Sequence, residues 1–178
     1  MKTLLLDGRL RQGGNTDYLL ELLFGKKVPF EKKNIAECNN CEACFTTGCC
    51  VIKDDMADIY SAANTTDIVV LAAPVIFGSL PAKLISILSR AQCYYKNGNF
   101  SSLPRVGKKK QGFIILTAGG SSAGDVKFAL KTATLLLKIF NVDSPTIITS
   151  LNTDALPASS DMAAKEKIEN AKVQFGFR

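Results

Sequence analysis

The 178-residue chain contains no histidine. That removes the side chain used most often as a general base near neutral pH, and with it the Ser-His and Cys-His nucleophile pairs. Any catalysis is therefore expected to lean on a bound cofactor. Long apolar runs are missing too. The best of them, Ile68 to Phe77, has ten residues and is interrupted by Pro74, whereas a spanning helix needs about 20. The N-terminus places only Leu4, Leu5 and Leu6 in a row before Asp7, too few for the apolar part of an export signal. No membrane association and a cytoplasmic, reducing compartment are the expectation. The net charge is +6, yet the basic run Lys108-Lys109-Lys110 has no aromatic beside it. It reads as a solvated edge leading into a strand, and no nucleic-acid partner is expected.

What the chain does have is a globular balance, with 47% hydrophobic and 21% charged residues. Its length suits one domain over residues 1–178 with a single core. Short apolar runs alternate with helical periods. Thr3 to Leu6 reads as a buried strand, followed by a helix carrying Leu19, Leu20 and Leu23, with Asn15 as its N-cap. A weak strand is expected over Val28 to Lys32. Met56, Ile59, Tyr60 and Ala63 form one helical stripe, with Asp54 and Asp55 at its head. Asp67 to Ala72 is apolar at its centre, as a strand covered on both faces should be. A helix opened by Pro81 carries Leu84, Leu88 and Ala91. Strands at Phe113 to Leu116 and Thr146 to Thr149 alternate with helices bearing Val126 to Phe140 and Ala164 to Phe175. A polar loop spans Lys96 to Lys110. Five such strand-helix alternations predict an α/β fold, a doubly wound parallel sheet with helices on both faces.

In such a sheet, ligands bind beyond the carboxyl ends of the strands. Three loops expected there have unusual composition. The first is Asp7-Gly8-Arg9-Leu10-Arg11-Gln12-Gly13-Gly14-Asn15-Thr16. Its glycines, its arginines and the helix N-terminus behind it suit a phosphate, without the lysine spacing of a triphosphate site. A glycine-rich turn that merely caps a helix fits this segment equally well. The second is Ala73-Pro74-Val75-Ile76-Phe77-Gly78-Ser79-Leu80-Pro81, where apolar residues with available amides suit a flat heteroaromatic ring; packing on its own domain is the alternative. The third, Thr117-Ala118-Gly119-Gly120-Ser121-Ser122-Ala123-Gly124, is small enough for a ligand to approach the backbone.

The cysteines form a fourth feature. Cys38, Cys41 and Cys44 are spaced by two residues each, with Cys49 and Cys50 close behind. In a reducing compartment this spacing fits a [4Fe–4S] cluster, a structural zinc or plain packing. Cys93 stands apart on the apolar side of a helix and reads as a small core residue.

These segments together resemble the NADPH-dependent FMN reductase and iron–sulfur flavoprotein group of the flavodoxin-like superfamily. Gly8, Arg11, Gly14, Asn15 and Thr16 match its first loop, with Arg9 where serine is usual. Pro74, Val75 and Gly78 match its second, with Ile76 where tyrosine is usual. Gly48 and Asp54-Asp55-Met56 match the segment after its cysteine loop, and Ser89-Arg90 replaces a common Asp-Arg pair. The resemblance covers about Lys2 to Thr153. It implies a flavodoxin-like five-stranded sheet of order 2-1-3-4-5 and an FMN-dependent oxidoreductase. Electrons would pass from NAD(P)H through FMN to a small-molecule or protein acceptor. Electron-carrier and flavin-free binding roles are the alternatives.

By the same resemblance, Arg9, Arg11, Gly14, Asn15 and Thr16 hold the FMN phosphate. Pro74, Val75, Ile76, Phe77, Gly78 and Ser79 line the isoalloxazine, and Ala118, Gly119, Gly120 and Ser121 close its other side. Cys38, Cys41, Cys44 and Cys50 are the ligand set for a cluster. A homodimer or homotetramer is implied as well.

Overall fold

The computed structural model describes residues 1–94, 107–120 and 123–176. Four strands form one parallel sheet: β1 (Thr3–Asp7), β2 (Ile68–Pro74), β3 (Gln111–Thr117) and β4 (Thr146–Ser150), in the spatial order β1-β2-β3-β4. Leu5 pairs with Val70, Ile114 with Leu71, and Ile148 with Ile115.

The period-2 alternation of a strand divides the core into two. Leu4, Leu6, Val69, Leu71, Ile114 and Leu116 face helices α3 (Met56–Thr65), α4 (Ala82–Arg90) and α5 (Ala123–Ile139). Ile68, Val70, Phe113, Ile115 and Ile148 face α1 (Asn15–Phe24) and α6 (Met162–Phe175). Both sides of β2 and β3 are therefore sealed, which is why those strands are apolar throughout. Each fully buried leucine or isoleucine contributes roughly 1.5–3 kcal/mol. Helix α2 (Ala43–Thr47), inside the cysteine loop, is too short to have shown a period in the sequence. Among the described residues no helix is long and apolar enough to cross a membrane.

Among the described residues the sheet has four strands, not the five expected. Val28 to Lys32 runs near β1 but forms no strand. Pro29 lacks the N–H a ladder needs. The Arg9 guanidinium captures the carbonyls of Val28 at 3.1 Å and Pro29 at 2.8 Å, so they are not offered to a neighbouring strand.

Two smaller expectations also change. Gly14, with no side-chain cap, is the N-cap of α1, and Asn15 is its first helical residue. Lys110 is buried, not solvated, its Nζ donating to the Lys108 carbonyl at 3.0 Å. Most of the polar loop at 96–110 lies outside the described residues.

Candidate functional site

The carboxyl ends of β1, β2 and β3 carry the three loops singled out in the sequence. In the first, Gly8 is required by packing. A Cβ there would lie 2.7 Å from Ala73 Cβ and 2.7 Å from Leu84 Cδ1. This lets the Gly8 amide donate to the Ala72 carbonyl at 2.8 Å, extending the ladder past β1.

Arg9 is buried, and all five of its side-chain N–H donors are spent. Nε and Nη2 grip the two Asp7 oxygens at 3.0 and 2.8 Å. Nη1 also pairs with Asp17 Oδ1, and the Val28 and Pro29 carbonyls take the remaining protons. Burial works against the charge, but bonds to Asp7 and Asp17 outweigh it and hold the guanidinium above its ordinary pKa. The phosphate role expected of Arg9 is corrected on this ground, because a guanidinium with no spare proton cannot clamp an anion. Arg9 instead fixes the loop. Through Asp17, whose other oxygen accepts the Gly13 amide at 2.8 Å, it also ties the loop to α1.

Arg11 remains as the exposed cation of this loop. Its Nε lies 3.8 Å from where a Cβ on Gly14 would stand, an ordinary contact distance, which puts the side chain beside the helix start. The first α1 amide with an intrahelical acceptor is that of Tyr18, which donates to the Gly14 carbonyl at 3.0 Å. The preceding amides of the first turn have no acceptor within the helix and concentrate positive potential there. Asn15 Oδ1 accepts the Ala158 amide at 3.0 Å, and Thr16 Oγ1 lies 2.7 Å from Thr117 Oγ1.

The second loop is a tight turn. Ile76 and Ser79 exchange two backbone hydrogen bonds of 2.9 and 2.8 Å around Phe77 and Gly78. Both central residues have positive φ, 47° at Phe77 and 75° at Gly78, as a mirror-image two-residue turn demands. Glycine accepts this freely, but phenylalanine does not. Phe77 is also fully exposed at 105%. In the third loop, Ala118 donates to the Ser150 carbonyl and Thr153 to that of Ala118, each at 2.9 Å. A Cβ on Gly119 would fall 2.3 Å from Asp154 Oδ2.

These loops enclose an open cleft of about 290 Å³ lined by Arg9, Arg11, Gly14, Asn15, Thr16, Pro74, Val75, Thr117 and Gly119, together with Thr153 and Asp154. Ile76, Phe77, Gly78 and Ser79 form the turn beyond it, and Ala118 and Gly120 lie outside its lining. Ser121 falls outside the described residues. Sequence reasoning missed Thr153 and Asp154, although their place just after β4 puts them at the same sheet edge.

The cysteine loop builds a second concavity, of about 70 Å³, whose lining includes Cys38, Cys41, Cys44, Cys50 and Cys93 but not Cys49. Burial pushes the Cys44 thiol above its ordinary pKa, and the charges of Cys50, Cys38 and Cys41 push it the same way. Among the described residues no three potential ligands converge tightly enough to hold a single metal ion. The thiols ring a cavity instead. Cys93, expected to be ordinary core, is buried in the turn Ala91–Tyr94 yet lines this same cavity. Its sequence isolation hid that.

A parallel sheet with helices on both faces and its loops gathered at the carboxyl edge is a doubly wound α/β architecture. The chain belongs to the NADPH-dependent FMN reductase family, whose model matches residues 1–154. Among curated relatives, the iron–sulfur flavoprotein of Methanosarcina thermophila is 32% identical over 133 residues, 70% of this chain and 66% of that one. An iron–sulfur flavoprotein of Archaeoglobus fulgidus is 29% identical over 115 residues, 65% of this chain and 47% of that one. The chain thus spans between about half and two thirds of these relatives' lengths. The crystal structure of an FMN-dependent NADH-azoreductase from Bacillus anthracis in complex with FMN superposes with a TM-score of 0.65 at 10% identity. It covers 98% of this chain and 99% of that one, which establishes the likeness of fold.

Proposed function

We propose that this protein is an FMN-dependent oxidoreductase that draws electrons from NAD(P)H, with the cysteine cavity as a second redox site. The observation that carries the reading is the convergence of three loops, far apart in sequence, on one cleft whose lining combines a helix N-terminus and Arg11 with Pro74-Val75. Family membership supports FMN as the cofactor and NADPH as the donor class.

The residues present fit that cofactor. Arg11, Gly14, Asn15, Thr16 and the amides of the first turn of α1 hold the phosphate. Backbone groups of Pro74 to Ser79 edge the ring, and Thr117 and Gly119 of the third loop border its other side. FMN, when bound, accepts an electron pair from a reduced nicotinamide and releases it to an acceptor. With no histidine in the chain, the protein's part is to position the cofactor, to bind its charge and to leave one side open for the nicotinamide.

The cysteine cavity favours a more particular reading, in which the acceptor is an iron–sulfur cluster held by Cys38, Cys41, Cys44 and Cys50. Thiols spread around a cavity suit a polynuclear cluster better than a tetrahedral zinc, which needs four sulfurs converging on one point. The iron–sulfur flavoproteins among the relatives support the same choice.

An absorption spectrum of anaerobically purified protein, with iron and sulfide assayed on the same sample, tests both parts. Flavin bands with matching iron and sulfide are expected. Protein that takes up no added FMN overturns the cleft reading, and flavin without iron after reconstitution overturns the cluster.

A further inference from the structure

Helix α4 begins just after the turn around Phe77 and ends in Ser89 and Arg90, and both of these residues reach the cysteine loop. Ser89 Oγ accepts the Cys38 amide at 3.0 Å. Arg90 is among the largest fully buried side chains of the protein, 1% exposed. Its two terminal nitrogens are anchored to Asp54 at 2.6 and 3.2 Å and to the carbonyls of Ala36 and Ile52, both at 3.1 Å. Those acceptors flank the cysteine loop on either side, so the guanidinium closes the loop at its base. Tyr60 fixes the backbone beneath it, its hydroxyl donating to the Arg90 carbonyl at 2.9 Å. With the terminal nitrogens committed, the remaining donor, Nε, points at Cys50 Sγ at 3.2 Å.

We infer that Arg90 is the residue that sets the reduction potential of a cluster held by Cys38, Cys41, Cys44 and Cys50, through its N–H···S bond to Cys50. This rests on the cluster reading above. Reduction places one electron on the cluster, supplied by a reduced flavin or an external reductant, with no bond broken and no proton moved at Cys50. Part of the added charge resides on the ligating sulfurs. A donor aimed at one of them therefore stabilises the reduced state more than the oxidised one. Asp54 offsets the net charge of the guanidinium, but it sits on the terminal nitrogens and leaves the Nε–H dipole facing the sulfur. Burial removes the water that would otherwise screen the bond. Arg90 thus acts through Cys50 as a positioning and tuning residue.

The test compares the wild-type full chain with the double variant R90M/D54N, which removes both members of the buried ion pair so that neither charge is left uncompensated. Both are reconstituted anaerobically with ferrous iron and sulfide, assayed for both elements, and titrated with dithionite while the reduced cluster is followed by electron paramagnetic resonance. The loaded fraction of the variant is expected to reduce at a lower potential. A tenfold loss in the reduced-to-oxidised ratio corresponds to about 59 mV for a one-electron couple.

A loaded fraction with unchanged potential, even at reduced iron content, makes Arg90 purely structural and overturns the inference. Should the variant fail to fold or to load, the wild-type protein decides by itself. With ¹⁵N-arginine incorporated, pulsed paramagnetic resonance of the reduced cluster is expected to show an arginine nitrogen coupling, and its absence overturns the inference. Wild-type protein that takes up no iron and sulfide overturns the cluster reading and this inference together, whereas the other negative results sink this inference alone.

Discussion

The hydroxyls of Thr16 and Thr117, 101 residues apart in sequence, meet at 2.7 Å inside the protein. One belongs to the first turn of α1 and the other ends β3, so this contact pins the proposed phosphate site to the sheet. Removing one hydroxyl by T117V leaves Thr16 buried without its partner, at a cost of about 1–3 kcal/mol. The double variant T16V/T117V should lose less than the sum of the single variants. Urea unfolding of the set measures this coupling.

The two arginines of the first loop should behave oppositely. R9A leaves Asp7 and Asp17 without their cation, and a loss of about 3–5 kcal/mol is expected. R11Q touches an exposed side chain, and stability should stay within about 0.5 kcal/mol of wild type. FMN affinity, read by quenching of flavin fluorescence, should nevertheless fall about tenfold through the loss of a charged hydrogen bond to phosphate. Unchanged affinity in R11Q would place the phosphate elsewhere.

Phe77 combines a φ of 47° with full exposure, a conformation that costs of order 1 kcal/mol or more and contributes no burial in return. F77G should raise stability by up to about 1 kcal/mol in urea, while F77A, which keeps a Cβ, should not. Because the turn edges the proposed flavin site, FMN binding should weaken in F77G, which loosens its backbone.

Acid stability should depend on Asp54. Burial pushes its pKa up, but hydrogen bonds from Arg90 and from the amides of Ala36 and Met56 outweigh this and hold it below the usual 3.8. The folded state therefore binds fewer protons than the unfolded chain. The stabilisation is complete above the ordinary carboxylate value and is lost as pH falls below it, through the depressed folded value. D54N should be less stable than wild type at neutral pH. That gap should narrow in acid, as followed by urea unfolding between about pH 5 and pH 2.

Much of this architecture was readable from local pattern. The four strands that form are the four with unbroken apolar centres, and helices α1, α3, α4, α5 and α6 match the expected periods. The fifth strand failed because Val28 to Lys32 contains Pro29 and because a distant guanidinium competes for its carbonyls. No local pattern encodes such a competitor. The sheet-edge loops were legible from glycine and proline content, yet their composition could not tell Arg9 from Arg11. Only burial beside Asp17 assigns one to the frame and leaves the other exposed.

The sequence by itself determined the class: an alternation of apolar strands and amphipathic helices whose small-residue loops must gather at one sheet edge. It also determined the cysteine spacing and, through the absence of histidine, excluded every Ser-His or Cys-His pair within these residues. The tertiary structure decided which polar groups are spent and which remain. Arg90 became the anchor of the cysteine loop, Cys93 joined the cavity that excludes Cys49, and Asp154 came to stand against Gly119. Hydrogen-bond capacity is finite and burial is set by distant elements, so these assignments exist only once the chain has closed on itself.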